Sequence, residues 1–175
     1  MKILIKNGLI VTEKESKQAD LLISGEKIEA IRPAIVPDKK TEVMDAEGLY
    51  VLPGGVDAHV HLDLPMFGTV SSDDHYTGTK AAAFGGTTTV IDFISQDSDD
   101  LAQNFQNLRQ KAQEKAAVDF GFHANISHLT PEVEQQIPEL VNFGVTSVKV
   151  FTAYNNRLRL QDGEIFRVMR IAREA

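Results

Sequence analysis

The hydrophobic rhythm of the chain changes once. Up to residue 52, apolar positions come in short runs: Lys2-Ile3-Leu4-Ile5-Lys6 and Leu9-Ile10-Val11-Thr12, then Leu21-Leu22-Ile23 and Lys27-Ile28-Glu29-Ala30-Ile31, then Val43-Met44-Asp45 and Leu49-Tyr50-Val51-Leu52. A turn signal separates the members of each pair: Asn7-Gly8, Ser24-Gly25-Glu26 and Ala46-Glu47-Gly48. Strands so punctuated predict a small β-sandwich, and Asn-Gly predicts a type I′ hairpin at the first break. From residue 53 the rhythm becomes strand, helix, strand, helix, an α/β pattern. Strands are predicted over 56–62, 87–93, 118–126 and 145–151. The first helix is expected near Asp73 to Phe84, stopped by Gly85-Gly86. Asp99 or Asp100 caps a second, whose Leu101, Phe105, Leu108 and Ala112 share one face. Thr130-Pro131 opens a third that Pro138 kinks or restarts. Asp162 caps a fourth with Ile165, Val168, Met169 and Ala172 on one face.

Composition narrows the classes. An apolar content of 42% supports a real core. The net charge of −7 argues against a nucleic-acid partner and leaves no basic patch for an anionic membrane. With no cysteine, neither disulfides nor thiolate metal sites are available, so any metal sits on nitrogen and oxygen. The start, Met1-Lys2-Ile3-Leu4-Ile5-Lys6, is apolar too briefly for a signal peptide, and no run reaches transmembrane length. A cytoplasmic location is expected.

Two stretches carry the candidate chemistry. In Gly54-Gly55-Val56-Asp57-Ala58-His59-Val60-His61-Leu62-Asp63, strand periodicity puts His59 and His61 on one face and Val60 and Leu62 on the other. Two neighbouring imidazoles can share a divalent metal, or can be polar residues on the wet face of an edge strand. In Gly144-Val145-Thr146-Ser147-Val148-Lys149-Val150-Phe151, one lysine interrupts an apolar strand. A buried ammonium must be neutralised or paired, or else the side chain snorkels from an edge. Carboxylation by carbon dioxide is one escape, because it turns the cation into a carbamate anion able to bridge two metals.

Together these stretches resemble the amidohydrolase superfamily, and within it the hydantoinase and dihydropyrimidinase branch. The resemblance runs over the whole chain through Lys6-Asn7-Gly8, Ala19-Asp20-Leu21-Leu22-Ile23, Pro53-Gly54-Gly55-Val56-Asp57 with the histidine pair, Ala83-Phe84-Gly85-Gly86-Thr87-Thr88-Thr89, and Ser147-Val148-Lys149-Val150-Phe151. It implies an α/β fold in two parts. Residues 1–52 would be the N-terminal part of a β-sandwich domain, and 53–175 the first half of a metal-dependent (β/α)8 TIM barrel, with about four of the βα units that a barrel needs. The chain stops within a helical pattern at Ala172-Arg173-Glu174-Ala175, so an N-terminal part of a longer enzyme is expected.

The resemblance also implies a site at the C-terminal ends of the barrel strands. His59 and His61 would hold one of two divalent metal ions, Zn2+ being expected, and Lys149 as N6-carboxylysine would bridge the pair. A hydroxide bridging the metals would open the ring of a dihydropyrimidine or 5-substituted hydantoin, giving an N-carbamoyl amino acid. Tyr154 matches the family's tyrosine, which binds substrate and donates to the developing oxyanion, although a loop tyrosine could simply pack its ring. Two further histidines, an aspartate and a homotetramer are implied for the longer protein. Isolated, this chain is expected to be inactive.

Dihydroorotases resemble the first stretch but carry an arginine where this chain has Asp63, which would repel a carboxylate. Leu64-Pro65-Met66-Phe67-Gly68 and Asn155-Asn156-Arg157-Leu158-Arg159-Leu160 would wall a pocket for an uncharged ring. The alternatives are an allantoinase, a dihydroorotase, or a non-catalytic dihydropyrimidinase-like assembly protein. Asp57 is expected to support the histidines, His123 and His128 to be spare, His123 as a hydrogen-bonded core residue, and His75 to lie on the surface.

Overall fold

The computed structural model describes residues 1–66 and 68–175. Phe67, a member of the predicted apolar loop, lies outside the described residues. The chain forms two compact units, Met1–Pro53 and Gly54–Ala175.

In the first unit β1 (Lys2–Val11) is the hub. It pairs antiparallel with β2 (Ser16–Ser24), which pairs antiparallel with β3 (Lys27–Arg32) across the predicted turn at Gly25. The other two predicted turns do something else. Asn7 takes a left-handed backbone (φ 58°), yet the chain continues straight on, with a register shift between Ile5 and Gly8. The reason is Asp20, a buried carboxylate that accepts the Asn7 N–H at 2.9 Å and the Ile35 N–H at 2.8 Å. Those N–H donors, Asn7 foremost, outweigh burial and hold the Asp20 carboxyl below its usual range. Asn7-Gly8 is therefore a bulge pinned by a charge instead of a hairpin. Likewise β4 (Thr41–Asp45) and β5 (Tyr50–Val51) do not pair with each other. Both run parallel to β1, β4 beside Lys2–Lys6 and β5 beside Leu9 and Ile10. Ile10, Ala19 and Leu21 form the small core.

The second unit is built on a parallel sheet. Its elements are β6 (Gly55–Asp57), a short hairpin of β7 (Pro65–Met66) and β8 (Thr69–Val70), α1 (His75–Phe84), β9 (Thr87–Ile94), α2 (Leu101–Lys115), β10 (Asp119–Ile126), α3 (Pro131–Gln136), a 3-10 turn at Pro138–Phe143, β11 (Val148–Val150) and α4 (Asp162–Glu174). The sheet order is β11-β10-β9-β6. Glycines lead into β6, at Gly54 and Gly55, because β9 comes so close: a Cβ on Gly54 would lie 2.0 Å from Thr88 Oγ1. Along each strand the side chains alternate. Ile94, Phe122, Ala124 and Ile126 turn outward and pack with Leu101, Phe105 and Ala112 of α2, Val133 of α3 and Val168 of α4 into the main core. Phe93, His123, Asn125 and Lys149 belong to the other face.

The helices start where their caps dictate. Asp74 accepts the N–H groups of Tyr76 and Thr77, Asp100 that of Gln103, and Thr130 that of Val133. At α4 the cap is Gln161, one residue before the expected Asp162, because Glu164 reaches back to the Gln161 N–H at 2.7 Å. On that helix Val168 is buried, but Met169 is 63% exposed. The first and fourth strands of this unit's parallel sheet, β6 and β11, are also shorter than their apolar runs. β6 ends at Asp57, and β11 keeps only Val148–Val150.

Candidate metal centre

Because β6 ends early, His59 and His61 lie in the irregular segment after it and not on a strand. The segment still follows β9, since the Val60 N–H donates to Ile91 O at 3.2 Å, and Asp57 accepts the His59 N–H at 3.1 Å. The two imidazoles end side by side, ring centroids 5.1 Å apart and edge to face. Beneath them is Phe93 of β9, a residue with no special signal in the sequence. Its ring centroid is 4.5 Å from His59, 4.9 Å from His61 and 4.9 Å from His123.

Lys149, at the middle of β11, reaches the same platform. Its Nζ lies 4.0 Å from the Phe93 centroid, 5.0 Å from that of Phe151 and 3.5 Å from His59 Nε2. Among the described residues no carboxylate pairs with it, and burial lowers its pKa. Burial, then the charge of Lys149, holds the His61 imidazole below its ordinary value against the opposing pull of Asp92. Both shifts favour the neutral nitrogen, the form that ligates a metal or adds to carbon dioxide. His61 Nδ1 and, on the neighbouring strand, Asn125 Oδ1 are buried without a hydrogen-bond partner among the described residues. Asn125 is the register partner of Lys149.

These groups open onto a cavity of ≈640 Å³. His61, Asn125, Lys149 and Tyr154 give it polar atoms, while Leu64, Pro65, Met66, Phe151 and Leu158 give it apolar walls. Both predicted wall loops contribute. Tyr154 sits at φ 66°, a costly conformation for a non-glycine residue, and is held there by a tight turn. Its carbonyl accepts the N–H groups of Arg157 and Leu158, both at 3.1 Å. The phenol is 57% exposed, with its ring edge-on to Phe151.

Two expectations are corrected. His75 is not on the surface: it is 1% exposed, at the first turn of α1 beneath the sheet. Its Nδ1 is 2.7 Å from Asp63 Oδ2, and its Nε2 makes an ion-pair contact of 3.3 Å with Asp92 Oδ2. Burial pulls the His75 pKa down, but Asp92 and Asp63 outweigh it and raise the value. Burial likewise pushes Asp63 up, and hydrogen bonds from His75 prevail and lower it. Asp63 is thus committed to His75 and does not line the cavity, so it cannot be what repels a carboxylate there. Asp92, a carboxylate in the apolar run of β9, carried the same kind of signal as Lys149. His123 is hydrogen-bonded as expected, to Ser147 Oγ and to Ala58 O. His128 is exposed and pairs with Asp99.

Two histidines are fewer protein ligands than a catalytic metal takes. Among the described residues no group of three or more His, Cys, Asp or Glu converges on one point. A third ligand must therefore come from Lys149 chemistry or from beyond these residues.

Comparison with known proteins identifies a family. A model of the amidohydrolase family matches residues 50–174. A D-hydantoinase of Geobacillus stearothermophilus is 45% identical over 173 residues, which is 98% of this chain and 36% of that protein. A D-hydantoinase of Streptomyces coelicolor is 39% identical over 97% of this chain and 38% of its own length. The crystal structure of a dihydropyrimidinase from Brevibacillus agri superposes with a TM-score of 0.94 at 45% identity, over 99% of this chain and 38% of that one. The chain thus spans well under half the length of the relatives it matches.

Proposed function

This chain belongs to the amidohydrolase family, and from that premise we propose that it supplies the first metal site and part of the substrate pocket of a cyclic amide hydrolase. The substrate class is a dihydropyrimidine or a 5-substituted hydantoin, opened to an N-carbamoyl amino acid. On this reading the parallel sheet is the first four strands of a (β/α)8 barrel, and the N-terminal sheet is part of a sandwich domain. The family's homotetramer, its two further histidines and its aspartate would belong to the longer protein.

One observation carries the proposal. His59, His61 and Lys149, which no carboxylate pairs among the described residues, meet over Phe93 at the mouth of an apolar-walled cavity. The buried, unpartnered His61 Nδ1 and the neutral-leaning Lys149 amine are what a divalent-metal site with a carbamate ligand asks of its residues. His59 and His61 would hold one ion through ring nitrogens. Lys149 would first add its amine to carbon dioxide, forming an Nζ–C bond and releasing a proton, and so present two oxygens to a pair of ions. When bound, the ions, expected to be Zn2+, supply Lewis acidity and a nucleophilic oxygen at neutral pH. Tyr154 donates a hydrogen bond from its phenol to the oxygen on which charge develops as the ring amide is attacked. Leu64, Pro65 and Leu158 face the ring substituent and exclude bulk water, while the C–N bond breaks and the nitrogen takes a proton that the attacking water gives up, carried by the longer protein's aspartate.

Metal per chain, measured by elemental analysis after growth with zinc and bicarbonate, tests this. Bound metal in the parent, lost in His59→Ala and in Lys149→Ala, is expected. The same metal content in all three would overturn the assignment and favour a non-catalytic assembly role.

A further inference from the structure

The segment carrying the metal-site histidines has no strand ladder of its own, so something else must hold it. On its outer side two residues of α1, one turn apart, press on it. A Cβ on Gly78 would lie 2.4 Å from Leu62 Cδ2, so the helix and Leu62 are in direct contact. His75, on the same helix face, fills the gap between Asp63 and Asp92. Asp63 Oδ2 receives both the His75 backbone N–H, at 3.1 Å, and Nδ1. Asp92 Oδ2 faces His75 Nε2 and also accepts the Leu62 N–H, each at 3.3 Å. Asp92 Oδ1 takes the Phe93 N–H at 2.7 Å. One imidazole therefore joins the helix start, the segment of His61 and the strand that carries the Phe93 platform. Nδ1 is hydrogen-bonded to Asp63, while the buried Nε2 lies 3.3 Å from Asp92 Oδ2 in an ion-pair contact without hydrogen-bond geometry. None of these contacts enters the proposed chemistry.

We propose that His75 is the positioning residue of this site: gripped between Asp63 and Asp92, it fixes the backbone of His61-Leu62-Asp63 against β9 and thereby keeps the His59 and His61 rings side by side. Resting on the function proposed above, the role of that placement is to present two nitrogens to one divalent ion. The geometry argues for positioning because the clamp reaches the segment through the Leu62 N–H and the Asp63 carboxylate, and neither the His59 nor the His61 ring is among its contacts. A loosened clamp would cost little in the main core, whose residues lie under α2, α3 and α4. It would let the ring pair drift, and metal affinity is sensitive to the partners that orient its ligands.

The test uses the metal-free 175-residue chain and two variants. His75→Asn keeps a donor near Asp63 but removes the contact with Asp92. Asp92→Asn keeps an acceptor for Leu62 while withdrawing its charge, and it serves should His75→Asn fail to fold. Histidine ring signals are read by NMR, Leu62 amide exchange by deuterium uptake, and affinity by Co2+ titration. In both variants the His59 and His61 signals are expected to move and broaden and Leu62 to exchange at least about tenfold faster. The exposed His128 signal should stay fixed, and Co2+ affinity should fall about tenfold, the low end for lost ligand support. A merely structural His75 would lower the unfolding midpoint without singling out these two rings. Unchanged ring signals and Leu62 exchange overturn the proposal, as does parental Co2+ affinity alongside moved rings. A parent chain that takes up no Co2+, while its variants still disturb the two rings, would instead end the metal reading and leave the clamp standing.

Discussion

A methyl group on Gly78 would come within 2.4 Å of Leu62 Cδ2, so at the scale of single residues the centre is sensitive from behind. Gly78→Ala is expected to cost about 1–3 kcal/mol, the usual range for overpacking, seen as a lower urea midpoint. Parental stability would show that α1 can back away freely. Phe93 supports the site from beneath and is 6% exposed. Phe93→Ala should cost about 3–5 kcal/mol in urea unfolding. Lys149 and the histidine pair stand out in the sequence as charged or ligating residues in apolar surroundings, but it was the family resemblance that joined the two stretches into one candidate site. His75 was not legible: it sits among Asp73, Asp74 and Thr77, whose polarity says surface, and the carboxylate that buries it lies 12 positions upstream. Only the closure of α1 onto β9 makes those distances short.

Elements were legible in proportion to how local their causes are. The four helices lie close to where the sequence puts them, α4 starting from Gln161 one residue before the expected cap, since a cap acts within one turn. Asp100→Ala should cost about 1 kcal/mol by removing the acceptor of the Gln103 N–H, again read in urea. Strand ends depend on partners and were drawn too long at β6 and β11. The Asn7-Gly8 turn has the residues of a hairpin and is overruled by Asp20, from another strand. The N-cap of α1 makes a pH prediction. The Thr77 N–H, with Lys115 at 3.0 Å, pulls the Asp74 carboxyl down to about 2. A depressed folded pKa contributes stability that is present above the ordinary value of 3.8 and lost as pH falls toward about 2. Stability between those values should therefore fall with acid less steeply in Asp74→Asn than in the parent, measured as urea midpoint against pH. Identical slopes would contradict the cap's contribution.

At the scale of the whole molecule, the outer edges of β6 and β11 pair with no further strand among the described residues. Large apolar side chains stand open to water, Val56 at 64%, Phe84 at 86% and Phe166 at 66%. Open edges and apolar faces favour association. The chain should elute larger than 19.3 kDa, with light scattering reporting mass that rises with concentration. A concentration-independent monomer would contradict this. The hub strand of the first unit bears on how the chain is made. β1 meets β2 soon after both leave the ribosome, but its other edge waits for Thr41–Asp45 and then Tyr50–Val51. Within this unit β1 is translated before its partners yet fully paired only after the last of them, and distant pairings form slowly. A pause in decoding between Arg32 and Thr41 would lengthen the time for which an apolar nascent strand stands half-zipped, within reach of a neighbouring polysome.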